Sequence, residues 1–249
     1  REIFDPETVP AVSAEEKAGL TGGVSIFKNY AHEPFFAFAC NRLKADQFPI
    51  SSFGFDPRIQ GTMLHLCLEI FWKEIRSQAN LKAMDDEELA NVLSDVVERA
   101  SLQLLYKLQW RYGRQLIRLE QQRLCGLLML WMEYEKSRSL PFTVVAFEHR
   151  TEVDVFGVPL TVTLDRVDMV EKTETETFYL LDDYKSGATM TFNALNAQSL
   201  KEPQLPIYAT CVTPQQIGVP SIDGITLSLI NSKRMAMHTR SAHTAHLIE

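Results

Sequence analysis

Two stretches of this chain carry residue types that could do chemistry: Leu164-Asp165-Arg166-Val167-Asp168 and Leu180-Leu181-Asp182-Asp183-Tyr184-Lys185-Ser186-Gly187. Each is a short apolar run that meets carboxylates, and the second adds a lysine two residues past its last aspartate. Residues two apart in a strand share a face, so Asp183 and Lys185 project together while Tyr184 faces the other way. With Asp165 on a neighbouring strand, two carboxylates and an ammonium meet at one sheet edge. Carboxylate oxygens suit Mg²⁺ or Mn²⁺, and a lysine beside the metal orients or deprotonates a water. That chemistry is metal-assisted phosphodiester hydrolysis. An acidic pair closing a strand is ordinarily solvated surface, so the reading depends on what stands around it.

His65, in Gly61-Thr62-Met63-Leu64-His65, lies one residue from the apolar stripe of a helix, where a lone histidine is ordinarily a hydrogen-bonded boundary residue. Gln204 and Tyr208 share a helix face at i and i+4, a spacing with no meaning on its own.

The elements that must position these residues follow from periodicity. Residues 1–22, with Pro6 and Pro10, read as an irregular leader. Helices are expected from about Ser25 and after Pro34, then a loop from Lys44 to Arg58. Met63, Leu64, Cys67, Ile70, Phe71 and Ile75 recur at three and four and predict a helix over about Gln60–Gln78. Met84–Tyr106, with Asp85 and Glu88 as a capping box, and Leu116–Lys136 complete a helical middle. From Phe142 the period becomes two, predicting strands at Phe142–Glu148, Glu152–Phe156, Leu160–Val170 and Phe178–Tyr184, with Gly157-Val158-Pro159 as a turn. A helix over Ala197–Val212 and a strand over Gly224–Ile230 follow. The order is α/β with a helical insertion, and the glycine-rich loop of a Rossmann fold is missing.

Composition bounds the answer. At 249 residues, 45% hydrophobic and 23% charged, the chain is ordinary globular material. No run approaches the roughly 20 apolar residues of a membrane span, and no signal peptide opens the chain. It begins with Arg1, so a fragment or processed chain is expected. Cys40, Cys67, Cys125 and Cys211 are scattered, which favours buried thiols and a reducing cytoplasm. A net charge of −7 argues against a broad nucleic-acid coating and leaves room only for a local basic groove.

Taken together and in order, His65, Leu164 to Asp168, Asp183-Tyr184-Lys185-Ser186-Gly187 and Gln204 to Tyr208 resemble the RecB-like branch of the PD-(D/E)XK nucleases. That family carries a histidine in a "G-t-x-x-H" helix, a helical insertion, "x-x-D-R-x-D" on a hairpin, "D-Y-K-[ST]-G" on the next strand and "Q-x-x-x-Y" on the following helix. Gly23 to Lys28 and Pro34 to Phe38 look like the run entering such domains at the C-terminus of AddB-type, helicase-related repair proteins. The resemblance implies a restriction-endonuclease-like core, a mixed central sheet flanked by helices, in one domain over 23–249 with an insertion at about 80–140.

The resemblance also implies roles. Asp165 and Asp183 would bind Mg²⁺ or Mn²⁺, with the Tyr184 carbonyl and the His65 imidazole completing the protein ligands; Lys185 would position the attacking water and steady the phosphate charge. Gln204 and Tyr208 would orient the DNA strand or the outer shell. Glu148, ending the first strand, contributes or is a surface carboxylate; Asp168 and Asp182 belong to the turn or the outer shell. AddB-type relatives often hold an iron–sulfur cluster with a cysteine just before the Pro-Phe run. Here Glu33 precedes Pro34 and Cys211 has no clustered partners downstream, so no cluster is expected; His238, His243 and His246 read as an exposed tail.

The expected activity is that of a Mg²⁺-dependent deoxyribonuclease in DNA repair or recombination, digesting single-stranded ends supplied by a helicase domain or subunit. The alternatives are an inactive DNA-binding or scaffolding module of the same fold, or an interaction domain unrelated to nucleic acid. Arg111, Arg114, Arg118 and Arg123 could line a groove with Tyr106, Trp110 and Tyr112 stacking on bases; core packing explains those aromatics equally well.

Overall fold

A computed structural model describes residues 12–20, 22–45, 54–108, 112–173, 175–187 and 202–241. The first helices are short: α1 (Ala14–Ala18), α2 (Ser25–His32) and α3 (Pro34–Ala37), the last running into a π-helical turn at Phe38–Arg42. Part of the expected irregular leader is thus helical. Ser13 and Glu16 form a reciprocal capping box that supplies two of the partners a helix start lacks.

Helix α4 (Pro57–Ile75) carries His65. Asp56 caps it by accepting from the Arg58 N–H at 2.8 Å, and Pro57 presets the first turn. The helix ends earlier than its periodicity predicts, because Arg76 turns to φ 67 and Ser77 caps a new helix, α5 (Gln78–Ala83). Met63, Leu64, Cys67, Leu68, Phe71, Trp72 and Ile75 form its buried face. Helices α6 (Asp86–Gln103) and α7 (Arg114–Lys136) pack beside it, and Asp85 accepts from the Glu88 N–H at 2.8 Å as the cap of α6. Burying residues such as Phe71, Trp72, Leu128 and Trp131 contributes about 1.5–3 kcal/mol each.

The strands are β1 (Phe142–Val155), β2 (Val158–Glu171), β3 (Thr177–Lys185), β4 (Gly224–Asn231) and β5 (Arg234–Ser241), in the spatial order β1-β2-β3-β4-β5. The two strands expected over 142–156 are one, with a register irregularity between Val144 and Ala146. Its turn falls at Phe156 (φ 55) and Gly157 (φ 76), ahead of Val158-Pro159, as a two-residue hairpin with positive φ at both positions demands. Pairing is antiparallel except β3 with β4, so the chain must cross over. Between them lie α8 (Gln204–Cys211) and α9 (Pro214–Ile217); residues 197–201 of the expected helix are outside those described.

The result is a mixed five-stranded sheet flanked by helices. One core unites α4, α6 and α7 with Phe142, Val144, Val170, Leu180 and Tyr184; the other joins α8 to Val167, Leu181, Leu227 and Leu229. Strand β5 carries no forecast from the sequence, and His238 sits within it opposite Leu227 rather than in a tail; His243 and His246 are outside the described residues. No helix among the described residues is long and apolar enough to cross a membrane.

Tyr112 is buried, its ring 4.2 Å from that of Phe55, so it packs the core rather than stacking on bases; Trp110 and Arg111 lie outside the described residues. Tyr112→Ala is expected to lower unfolding stability by about 3 kcal/mol while leaving DNA affinity of the folded protein unchanged, checked by urea denaturation beside a binding titration. Weakened binding at preserved stability would contradict the packing role.

Candidate active site

The β2–β3 register sets Arg166 opposite Asp182 and Val167 opposite Leu181. Directly opposed residues share a face, so Asp165, Asp183 and Lys185 lie on one side and Arg166, Asp182 and Tyr184 on the other. On β1, Phe147 opposes Arg166 and His149 opposes Leu164, which leaves Glu148 facing Asp165. Glu148 has φ 39, a conformation that costs a non-glycine residue about 1–3 kcal/mol. Two carboxylates held directly opposite repel each other unless a cation intervenes.

His65 supplies positive charge there. Its Nδ1 is 3.5 Å from Asp165 Oδ1 and 3.7 Å from Glu148 Oε1, and its Nε2 is 3.1 Å from the Tyr184 carbonyl oxygen. Burial opposes charge on the imidazole, but attraction to Asp165, Glu148 and Asp183 outweighs it and pushes its pKa up to about 10. The imidazolium therefore stands in for a cation among the carboxylates. One donor atom from each of His65, Glu148 and Asp165 lies within 4.8 Å of the others, a spacing suited to a metal ion.

Asp165 Oδ2 accepts the Tyr184 N–H at 2.8 Å, so one peptide unit on each side of Tyr184 takes part: its N–H holds Asp165 and its carbonyl meets His65. Asp183 is 1% exposed, and neither carboxylate oxygen has a hydrogen-bond partner. Lys185 Nζ lies 2.6 Å from Asp183 Oδ2 as an ion pair, so its charge answers one oxygen and leaves the other open. Burial raises the Asp183 pKa, Lys185 lowers it and Asp165 raises it further, with a net upward shift. An orphaned buried carboxylate beside closely spaced nitrogen and oxygen donors fits a divalent cation.

Lys185 Nζ donates to Gln204 Oε1 at 2.9 Å, Gln204 Nε2 donates to the Tyr208 hydroxyl at 2.9 Å, and that hydroxyl donates to the Thr163 carbonyl at 2.8 Å. The i, i+4 pair on α8 thereby ties the ammonium to the backbone of β2. Burial holds the Tyr208 hydroxyl well above the usual phenol range, so it stays a neutral link.

Asp168 and Asp182 are not turn residues: both sit mid-strand and buried, on the face away from Asp165. Arg166, 1% exposed, donates to both Asp168 oxygens (2.5 and 2.8 Å), to Glu135 Oε1 on α7 (2.5 Å) and to the Tyr184 hydroxyl (3.0 Å). Arg138 bridges Glu135 and Asp168 at 3.0 and 2.8 Å. Asp182 accepts from the Ser228 hydroxyl at 2.7 Å. Burial pushes its pKa up to about 8, against the pull of Arg166 and with the push of Asp168. It is mostly protonated at neutrality, which leaves two guanidiniums balanced by Glu135 and Asp168. Glu135 and Arg138 carried no sequence signal, because their helix–sheet separation is invisible in local spacing.

The chain matches the PD-(D/E)XK nuclease superfamily over residues 24–242 and belongs to it. Membership implies a nuclease that uses divalent metal ions and binds DNA. No curated protein matches the chain. Among solved structures, that of SSO0001 aligns over 87% of this chain and 76% of its own, at 12% identity and a TM-score of 0.25.

Proposed function

We propose that the chain is a Mg²⁺- or Mn²⁺-dependent deoxyribonuclease of the RecB-like, AddB-type branch, digesting single-stranded ends in DNA repair or recombination alongside a helicase domain or subunit. The observation that carries this reading is the meeting of His65, Glu148 and Asp165 beside the unsatisfied carboxylate of Asp183. His65, Asp165, Asp183 and the Tyr184 carbonyl would hold the ion, and the spacing of Glu148 from His65 and Asp165 supports adding it to that set. When bound, the ion supplies Lewis acidity toward a phosphate oxygen and lowers the pKa of a coordinated water.

The chain's own residues do the rest. Lys185 faces the same side as Asp183, where its ammonium steadies charge on the phosphate and orients the incoming water. Gln204 and Tyr208 fix the ammonium through the bonded path to Thr163. Asp165 is itself oriented by the Tyr184 N–H. His65 must surrender its proton to become a ligand, so metal uptake releases protons.

Labelled single-stranded and duplex oligonucleotides, incubated with Mg²⁺, Mn²⁺ or a chelator, test the proposal. Cleavage from single-stranded ends that stops on chelation is expected. In parallel, metal at a hundred times its dissociation constant should stabilise the protein by about 2.7 kcal/mol, a rise in melting temperature on the order of 5–10 °C. The absence of both cleavage and a thermal shift with either ion would overturn the metal site.

A further inference from the structure

Two surface grooves meet at the site. One, of about 600 Å³, runs past Lys28, Arg58 and Lys185; the other, of about 640 Å³, runs past Gln103 and Lys107. Gly61 and His65 line both, so the grooves are joined over the first half of α4. A Cβ at Gly61 would meet only Ser186 Oγ, at 3.6 Å, so the missing side chain leaves the junction open.

Lys73, Arg99, Arg123, Lys136 and Lys172 are each neutralised by a nearby carboxylate. Arg58 and Lys107 are exposed, and no ion pair to either is present among the described residues. The acids in the grooves are otherwise engaged: Glu202 with Lys28, Glu69 with Lys73, and Glu148 with His65. In a chain of net charge −7, free cations in each of two joined grooves form a local track for a polyanion.

We propose that one strand of nucleic acid lies along this track, with Arg58 and Lys107 contacting phosphates on opposite sides of the scissile bond and Gly61 passing the backbone beneath it. The proposal rests on the nuclease reading above and adds to it the path of the strand and the side chains that hold it. Lys28 on α2 reaches Glu202, just ahead of α8, at 2.5 Å. Both residues line the first groove, so this ion pair narrows it at that point, which favours a single strand over a duplex.

The test is salt-dependent binding of a fluorescent single-stranded oligothymidine in chelator, with the matching duplex beside it. Wild type should prefer the single strand. Arg58→Ala and Lys107→Ala should each weaken binding and make the slope of log affinity against log salt shallower by about 0.7. Lys172→Ala, in the β2–β3 turn, should not. Gly61→Leu should cut cleavage at least tenfold while Mn²⁺ affinity measured by calorimetry is kept. Unchanged slopes in both cation variants of a cleaving protein, or equal duplex binding, would overturn the track alone. A wild type that neither binds nor cleaves any strand would sink the nuclease reading with it.

Discussion

Asp183→Ala is expected to abolish cleavage, by a factor on the order of 10³ or more, and to weaken Mn²⁺ binding by more than the roughly 10–100-fold that outer-shell losses cost. Lys185→Ala should lose a comparable part of kcat while keeping metal affinity. The distinction follows from where each group stands. Asp183 presents two buried oxygens of which only Oδ2 has a cation beside it, Lys185 at 2.6 Å, so its other oxygen is open to a metal ion; Lys185 is shared with Gln204 and, in the proposed reading, serves the phosphate. Removal of an unsatisfied buried carboxylate should leave the metal-free variant as stable as wild type or more so, a common exchange of stability for function. Calorimetry giving equal metal affinity for wild type and Asp183→Ala would contradict the assignment, as would a collapse in its metal-free melting temperature.

The second large effect is structural. Arg166→Met should destabilise the fold by about 3–5 kcal/mol, because it leaves Glu135 and Asp168 buried with only Arg138 to balance them. In a domain of this size that lowers the melting temperature by about 10–15 °C. Arg166→Lys should rescue little. The guanidinium bonds Asp168 with two nitrogens and Glu135 and Tyr184 with a third, and lies 4.4 Å and 4.8 Å from the rings of Trp72 and Phe142. A lysine ammonium reproduces neither the fork nor the stacking. Thermal unfolding followed by circular dichroism decides it: a loss below about 1 kcal/mol would show that these charges are not desolvated together.

Much of the candidate site was legible along the chain because its information is local. Strand alternation alone put Asp183 and Lys185 on one face and Tyr184 on the other, and an i, i+4 spacing put Gln204 under Tyr208. Both hold, since backbone geometry sets them whatever the surroundings. The ordered motifs led to the superfamily and hence to a mixed sheet flanked by helices.

Tertiary structure decided what each carboxylate is for. Asp165 and Asp168, three residues apart in one strand, face opposite sides of the sheet: one meets His65, the other two buried arginines. Sequence supplies the alternation, but which face carries the candidate metal donors and which the salt-bridged core depends on α4 and α7 packing across the strands. Glu148 is the sharpest case. Nothing in its neighbourhood separates it from a surface acid; register with β2 and a positive φ bring it opposite Asp165. Pairing register and helix docking join residues distant along the chain, from His65 to Tyr184, so only the assembled fold could place these groups within a few ångströms of one another.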